Sequence, residues 1–383
     1  MSDTTTTTEE IGRRTILRTE WVPCKAAFID CKTPGSELKE NYAFIGPGVS
    51  QNTGQFINLT TPHGFNVGAA GMPNGVRNNL HLHFTAEVFI NFGGEFQLRW
   101  GADGEQGEYS SSDGDVISVP TWIFRGFTNT GPDDGLLLTV LGGDVTGGII
   151  WGPKVLADAA GHGLHLTANN QLIDTTAGEQ VPEGVELIRP MPQEQIDALD
   201  SFSVEEFASR VTRAAERRWV AQPFLCSVLP GGGAELSPVI GYGAVEDRRA
   251  VPALTEPHGF SLAWLRAPRG EGVLTHRQRA TQVVLVRSGR WVVRVGRGDQ
   301  QQVVELGPLD MFSVPPGSWR SVSCVEDGAD GRGEAAVVNG GDGRVDLEWD
   351  DDVVRAARTA GRVLDANRYL APAAVLDTAT LDD

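Results

Sequence analysis

Short runs of apolar and β-branched residues, separated by glycine, asparagine and aspartate, follow one another along most of this chain. The clearest runs are 87–92, 95–100, 115–119 and 136–141. Many short strand-like segments between turn residues are typical of antiparallel sheets that close into a sandwich or a barrel. The pattern therefore predicts an all-β protein.

Residues 191–216 depart from this pattern and predict a helical linker. Ser203 and Glu206 have the spacing of a capping box, in which each side chain bonds the other residue's backbone N–H. Apolar residues follow with helical spacing, so we expect a helix from about residue 204 to 218. Shorter helices are expected near the end of each half of the chain.

The second half of the chain repeats the first half. Leu-Thr-Thr-Pro-His-Gly-Phe at 59–65 recurs as Leu-Thr-Glu-Pro-His-Gly-Phe at 254–260, a shift of 195 residues. The same shift relates other glycines, prolines and polar residues: Gly75 to Gly270, His81 to His276, Gly94 to Gly289, Pro120 to Pro315 and Arg125 to Arg320. This register predicts two tandem copies, 15–190 and 217–383, joined by the linker and preceded by a disordered tail at 1–14.

The composition and net charge of the chain exclude some classes of function. The 383 residues are 40% apolar and 21% charged, which suits folded domains. A net charge of −18 argues against nucleic acid and anionic membranes as partners, because both require a basic face. The four cysteines are scattered and form neither a zinc knuckle nor a disulfide framework. A Thr-rich, acidic start and the lack of a long apolar run predict a cytoplasmic protein. A small molecule is the expected substrate, and a homodimer remains open.

Three side chains that can bind a metal ion lie close together in the first copy. They are His81, His83 and Glu87, between Gly75 and Gly94. All three numbers are odd, and alternate residues of a strand share a face, so the side chains are expected to converge. Two imidazoles and one carboxylate form the ligand set of many non-haem Fe(II) oxygenases.

The spacing Gly-x5-His-x-His-x3-Glu-x6-Gly matches the first cupin motif at every position, and Gly114-x5-Pro120 with Asn129 resembles the second motif. Arg125 stands where the second motif has a fourth ligand, a histidine, and Trp122 stands where it has a glycine. The chain resembles the bicupins over nearly its whole length. This resemblance implies two tandem cupin jelly-roll β-barrels with short peripheral helices and a helical inter-domain linker.

The two copies differ at the ligand positions. The second copy keeps His276 but has Gln278 and Gln282 in place of His83 and Glu87. Neutral amides bind metals poorly, so the second barrel is interpreted as degenerate and metal-free. A single site is therefore expected within residues 75–130 of the first copy.

Fe(II) is the expected metal, and Mn, Ni, Cu and Zn remain open because three ligands do not separate them. Two roles compete for Arg125: it could anchor an anionic substrate, or it could form an internal ion pair with Glu87 without any metal. The pocket wall is expected to be apolar and aromatic. Its candidates are Phe89, Trp100, Trp122 and Phe124.

One metal-binding barrel beside a degenerate one resembles the gentisate-type ring-cleaving dioxygenases and the pirin-like proteins. This resemblance implies an oxidoreductase, a dioxygenase-like enzyme acting on a small oxygenated substrate, either anionic or aromatic. Two alternatives remain open. One is a metal-assisted lyase or isomerase of a small acid or enol, and the other is a metal-free module that binds a small ligand.

Overall fold

Strands dominate the regular structure of the computed structural model, which describes residues 6–379. The chain divides into two compact units. One comprises residues 21–216, and the other joins residues from 217 onward to the described part of the first twenty. Each unit is a jelly-roll barrel made of two sheets, so the predicted all-β fold with two tandem cupin barrels is confirmed.

A seven-stranded and a five-stranded sheet form the first barrel. Neighbouring strands are antiparallel, except that Glu40–Ile45 and Ile57–Leu59 run parallel. In spatial order the larger sheet contains Val211–Thr212, Val116–Val119, Glu87–Asn91, Gly135–Gly142, Phe65–Met72, Glu40–Ile45 and Ile57–Leu59. The smaller sheet contains Ile149–Trp151, Arg77–His83, Arg125–Asn129, Phe96–Trp100 and Gly107–Ser111, and a separate ribbon pairs Leu164–Leu166 with Leu172–Asp174.

The second barrel repeats this arrangement with a six-stranded and a five-stranded sheet. In spatial order the larger sheet contains Thr15–Ile16, Met311–Val314, Gln282–Ser288, Gly333–Gly340, Phe260–Ala267 and Glu235–Ile240. The smaller sheet contains Gln302–Leu306, Arg290–Val295, Arg320–Glu326, Gly272–Arg277 and Glu348–Trp349, and a separate ribbon pairs Arg362–Leu364 with Leu370–Pro372.

The burial pattern of the strands explains why the sheets close. In Phe96–Trp100 the side chains at 96, 98 and 100 are buried and those at 97 and 99 are partly exposed, as expected for a strand with one face on the core. Glu87–Asn91 is buried along its whole length, because it lies in the middle of the larger sheet. The two sheets therefore enclose apolar residues between buried polar side chains at the two ends of the barrel, Glu87 and Arg125 at one end and Asn91 and Asn129 at the other.

The described helices are short and lie at the periphery, as expected. They are Thr8–Arg14, Pro153–Gly161, Gln193–Asp197, Val204–Ala208, Asp351–Thr359 and Ala373–Ala379. None of these helices has the length and apolarity needed to cross a bilayer.

The predicted linker helix is shorter than expected. The capping box of Ser203 and Glu206 is present, but the helix ends at Ala208 rather than near residue 218. Residues Val211–Thr212 then form a strand along the free edge of Val116–Val119 in the first barrel. Pairing with this exposed sheet edge satisfies backbone groups of Val116–Val119 that would otherwise face solvent. The paired strands are far apart in the sequence, so local spacing could not predict this contact.

The prediction of a disordered tail at 1–14 is wrong for residues 8–14, whereas residues 1–5 lie outside the described part. Thr8–Arg14 is a helix whose N-cap Thr7 accepts a bond from Glu10 N. Ile11 is only 6% exposed because it packs into the core of the second barrel. Thr15–Ile16 then pairs with Met311–Val314. One apolar anchor and a sheet edge order this segment despite its polar composition.

Candidate functional site

The three predicted ligands converge from both sheets of the first barrel. His81 and His83 lie at the end of Arg77–His83 in the smaller sheet, whereas Glu87 begins Glu87–Asn91 in the larger sheet. The ligand atoms of the three side chains lie within 4.8 Å of one another, and all three residues are buried. Convergence is as predicted, but its cause is different: residues 84–86 carry the chain from one sheet to the other.

Both imidazoles are in the state that a metal ligand requires. His81 Nδ1 lies 2.7 Å from the carbonyl oxygen of Asn79, so Nδ1–H donates to it and Nε2 presents its lone pair. Burial, together with the nearby charge of Arg125, lowers the pKa of His81 and of His83 well below the usual range. The two rings are therefore neutral at physiological pH.

His83 provides the test of fit for a metal ion. Its Nε2 lies 3.7 Å from Glu87 Oε1, and its buried Nδ1 has no hydrogen-bond partner in the structure. Buried polar atoms without a partner are rare in folded proteins. Ligands at about 2.1 Å from one ion lie roughly 3 to 3.5 Å apart, so small side-chain shifts would suffice to bind one. The donor set and its spacing fit a divalent metal.

Arg125 was expected to bind either a substrate carboxylate or Glu87, and in this structure its partner is Glu87. Its Nη2 and Nε donate to Glu87 Oε2 at 2.5 and 3.2 Å, and its Nη1 donates to the carbonyl oxygen of His81 at 3.2 Å. The side chain is 1% exposed and does not line the cavity described below. In this structure Arg125 therefore holds Glu87, with three of its five N–H groups donated to Glu87 and His81, and its role as a substrate anchor stays a prediction.

This pair leaves Glu87 Oε1 free on the side of the two histidines. Burial raises the pKa of Glu87, and the adjacent guanidinium opposes part of that rise. The charge-assisted hydrogen bonds fix the orientation of the carboxylate. Glu87 can thus offer one oxygen to an ion while the other remains bound to Arg125.

A cavity of about 80 Å³ opens beside the three ligands. Phe89 lines it, as predicted. Much of the remaining wall was not foreseen, because it comes from the strand Glu40–Ile45 and the loop that follows it; these residues include Asn41, Tyr42, Gly48, Ser50 and Gln55. Gln55 Oε1 is buried without a hydrogen-bond partner. The signal that could have identified Gln55 is the comparison of copies, since its counterpart at the shift of 195 is Ala250.

Three predicted pocket residues do not line this cavity. The ring of Trp100 stacks on Phe207 of the linker at 4.2 Å. Trp122 is 42% exposed, adopts a positive φ of 62° and contacts Phe84. Phe124 contributes to a separate surface groove with residues 101–106 and 193–201. Trp100 faces the core, and Phe207 of the linker packs beside it there, a contact that the strand pattern alone does not reveal.

The equivalent positions of the second barrel hold amides instead of ligands. Gln278 and Gln282 donate to Asn339 Oδ1 at 2.8 and 3.1 Å, and Arg320 donates to Gln282 Oε1 at 3.3 Å. Of the three ligand positions, only that of His276 keeps a side chain that can bind a metal. Within residues 6–379, His81, His83 and Glu87 are the one cluster of three or more side chains with metal-binding geometry.

Comparison with known proteins supports the fold. A vicilin from Capsicum annuum has a TM-score of 0.53 at 11% identity, over 88% of this chain and 88% of that chain. Oxalate decarboxylase from Bacillus subtilis at pH 4.6 has a TM-score of 0.50 at 11% identity, over 91% and 80%. No protein-family model matches the sequence, and no curated protein matches it.

The two barrels and the His81, His83 and Glu87 cluster define a bicupin fold with one candidate metal site. At 11% identity the likeness to solved structures concerns the fold alone. The two neighbours also have different roles by name, one being an enzyme and the other a vicilin. Function therefore has to be inferred from the site itself.

Proposed function

We propose that this protein is a metal-dependent enzyme whose reaction centre is the His81, His83 and Glu87 cluster of the first barrel. The observation that carries the proposal is the geometry of that cluster: two neutral, buried imidazoles and one carboxylate converge within 4.8 Å beside a cavity. Fe(II) is the proposed metal, because this ligand set with open positions is typical of non-haem iron oxygenases.

The proposed reaction is the oxygenation of a small oxygenated substrate by a dioxygenase-like activity. A bound divalent ion would supply Lewis-acid and redox chemistry toward adjacent substrate oxygens. The chain's own residues prepare the site: Asn79 fixes the tautomer of His81, and Arg125 fixes the orientation of Glu87. Phe89 and Phe127 line the cavity with apolar surface, which limits the access of water.

A metal-assisted lyase is the second candidate, and its support is the shared fold with an oxalate decarboxylase. Consumption of dioxygen during turnover separates the two reactions, because a lyase that moves only protons and carbon–carbon bonds does not reduce oxygen. A metal-free binding module is the third candidate. It is favoured by the Arg125–Glu87 pair, which satisfies the carboxylate without any ion.

Elemental analysis of the purified protein tests the proposal. We expect one equivalent of metal or less per chain after supply of Fe(II) without oxygen. His83→Ala should abolish binding, because it removes one of three ligands. The matched control is Gln278→Ala, which changes the same position of the second barrel and should leave the metal content unaltered. Two equivalents per chain, or none even with excess Fe(II) and a small carboxylate present, would refute the proposed site.

A further inference from the structure

The charge of the first barrel's cavity is already balanced before any ion enters. Within residues 6–379, Glu87 is the one charged side chain that lines the cavity. Its Oε2 accepts from Arg125 at 2.5 and 3.2 Å, so the pair is neutral as a unit. The next buried ions, Lys39 and Asp30, also form a neutral pair at 2.8 Å. The polar end of the cavity therefore has no net charge to offer a cation.

A divalent ion would consequently leave an unbalanced double positive charge in this site. An ordinary set of two histidines and one unpaired carboxylate would leave a single charge. Glu87 is 4% exposed and Arg125 is 1% exposed, so solvent screens these charges poorly. A buried charge without a counter-charge is strongly unfavourable. The ion would thus be held weakly unless another anion entered with it.

The cavity has room for such an anion but no protein group to supply it. Its volume of about 80 Å³ suits a molecule of a few heavy atoms. Three protein ligands leave up to three coordination positions on an octahedral ion. The rest of the lining is neutral, with aromatic rings and amides such as Gln55. The missing negative charge therefore has to come from a small ligand with an oxygen able to bind the metal.

We propose that the first barrel binds its divalent ion and a small chelating carboxylate cooperatively, each one weakly without the other, because Arg125 has cancelled the charge of Glu87. This inference rests on the proposed metal site and specifies its substrate class as a monoanion with an oxygen next to the carboxylate. By thermodynamic linkage, the factor by which the anion tightens metal binding equals the factor by which the metal tightens anion binding.

Titration of the full chain with Co²⁺ tests the coupling without any activity measurement. Visible absorption of the bound ion reports occupancy, and the titration is run at constant ionic strength with glycolate or with glycolamide, its neutral analogue. We expect Co²⁺ to bind at least about tenfold more tightly with glycolate, after correction for complexes in solution. Calorimetry should show the same factor for glycolate with and without the ion.

Variants that change the charge at position 125 test whether Arg125 causes the coupling between metal and carboxylate. Arg125→Lys keeps the positive charge and should keep the glycolate effect, whereas Arg125→Gln should reduce it below about threefold and tighten the binding of Co²⁺ alone. Arg320→Gln is the matched control in the second barrel and should change neither quantity. If Arg125→Gln does not fold, the wild-type titrations with glycolate and glycolamide still decide whether the coupling exists.

The outcomes separate this inference from the proposed function. Equal Co²⁺ affinity in glycolate and glycolamide, or a full glycolate effect in Arg125→Gln, overturns the inference and leaves the metal site intact. Failure to bind Co²⁺ under both conditions overturns the inference and the proposed function together.

Discussion

Removal of Arg125 should destabilise the first barrel by an amount that depends on pH. Arg125→Met keeps much of the buried volume but deletes the hydrogen bonds of 2.5 and 3.2 Å to Glu87, which is 4% exposed. Loss of one partner of a buried ion pair typically costs about 3–5 kcal/mol, because the other charge is left unpaired. This is a large share of the roughly 5–15 kcal/mol by which a domain is stable.

The sign of the pH dependence follows from the pKa of Glu87. Burial raises this pKa in the folded protein, and the variant lacks the guanidinium that opposes the rise. A group with a raised folded pKa contributes its full stability below its unfolded pKa and loses it as the pH rises through the folded pKa. The deficit of Arg125→Met should therefore be smaller near about pH 5 than near about pH 8.

Urea denaturation of the metal-free protein, followed by circular dichroism, measures both effects. Arg320→Met is the control, because Arg320 donates to the neutral Gln282 and, in the described part of the chain, forms no ion pair with a carboxylate. Its removal takes a donor from Gln282 Oε1 and from the carbonyl oxygen of Ser318, which costs about 1 kcal/mol for each bond, with no comparable pH dependence. Equal deficits in the two variants, or a loss for Arg125→Met that grows as the pH falls, would refute this reasoning.

Three further substitutions test the packing of the first barrel by the same denaturation assay. Phe207→Ala should cost about 3–5 kcal/mol, since its fully buried ring stacks on Trp100 at 4.2 Å; a loss below about 1 kcal/mol would mean that the linker does not stabilise the barrel. Lys39→Met should lower the free energy of unfolding by about 3–5 kcal/mol, because it leaves the fully buried Asp30 without its cation. An unchanged midpoint of urea denaturation would contradict this. Gly107→Ala should cost about 1–3 kcal/mol and shift the tryptophan emission, because its Cβ would lie 2.2 Å from the Trp100 ring.

The organisation of the chain could be predicted because it rests on local and repeated patterns. Strand-like runs between turn residues indicate sheets, and the shift of 195 residues shows that one pattern was used twice. Comparison of the copies located His83 and Glu87, since Gln278 and Gln282 replace them in the second copy. The capping box of Ser203 also predicted the start of its helix correctly, because its bonds join residues three apart.

What the tertiary structure decided depends on contacts between residues far apart in the sequence. Ile11 orders residues 8–14 by packing into the second barrel, and Phe207 covers Trp100, which the strand pattern had placed at the pocket. Arg125 pairs with Glu87 across 38 positions of the chain, so only the folded barrel shows that the carboxylate is already neutralised. Sequence alone thus determined which residues can bind a metal, and the three-dimensional packing decided the charge they present to it, because electrostatic energy depends on distance in space and not on spacing along the chain.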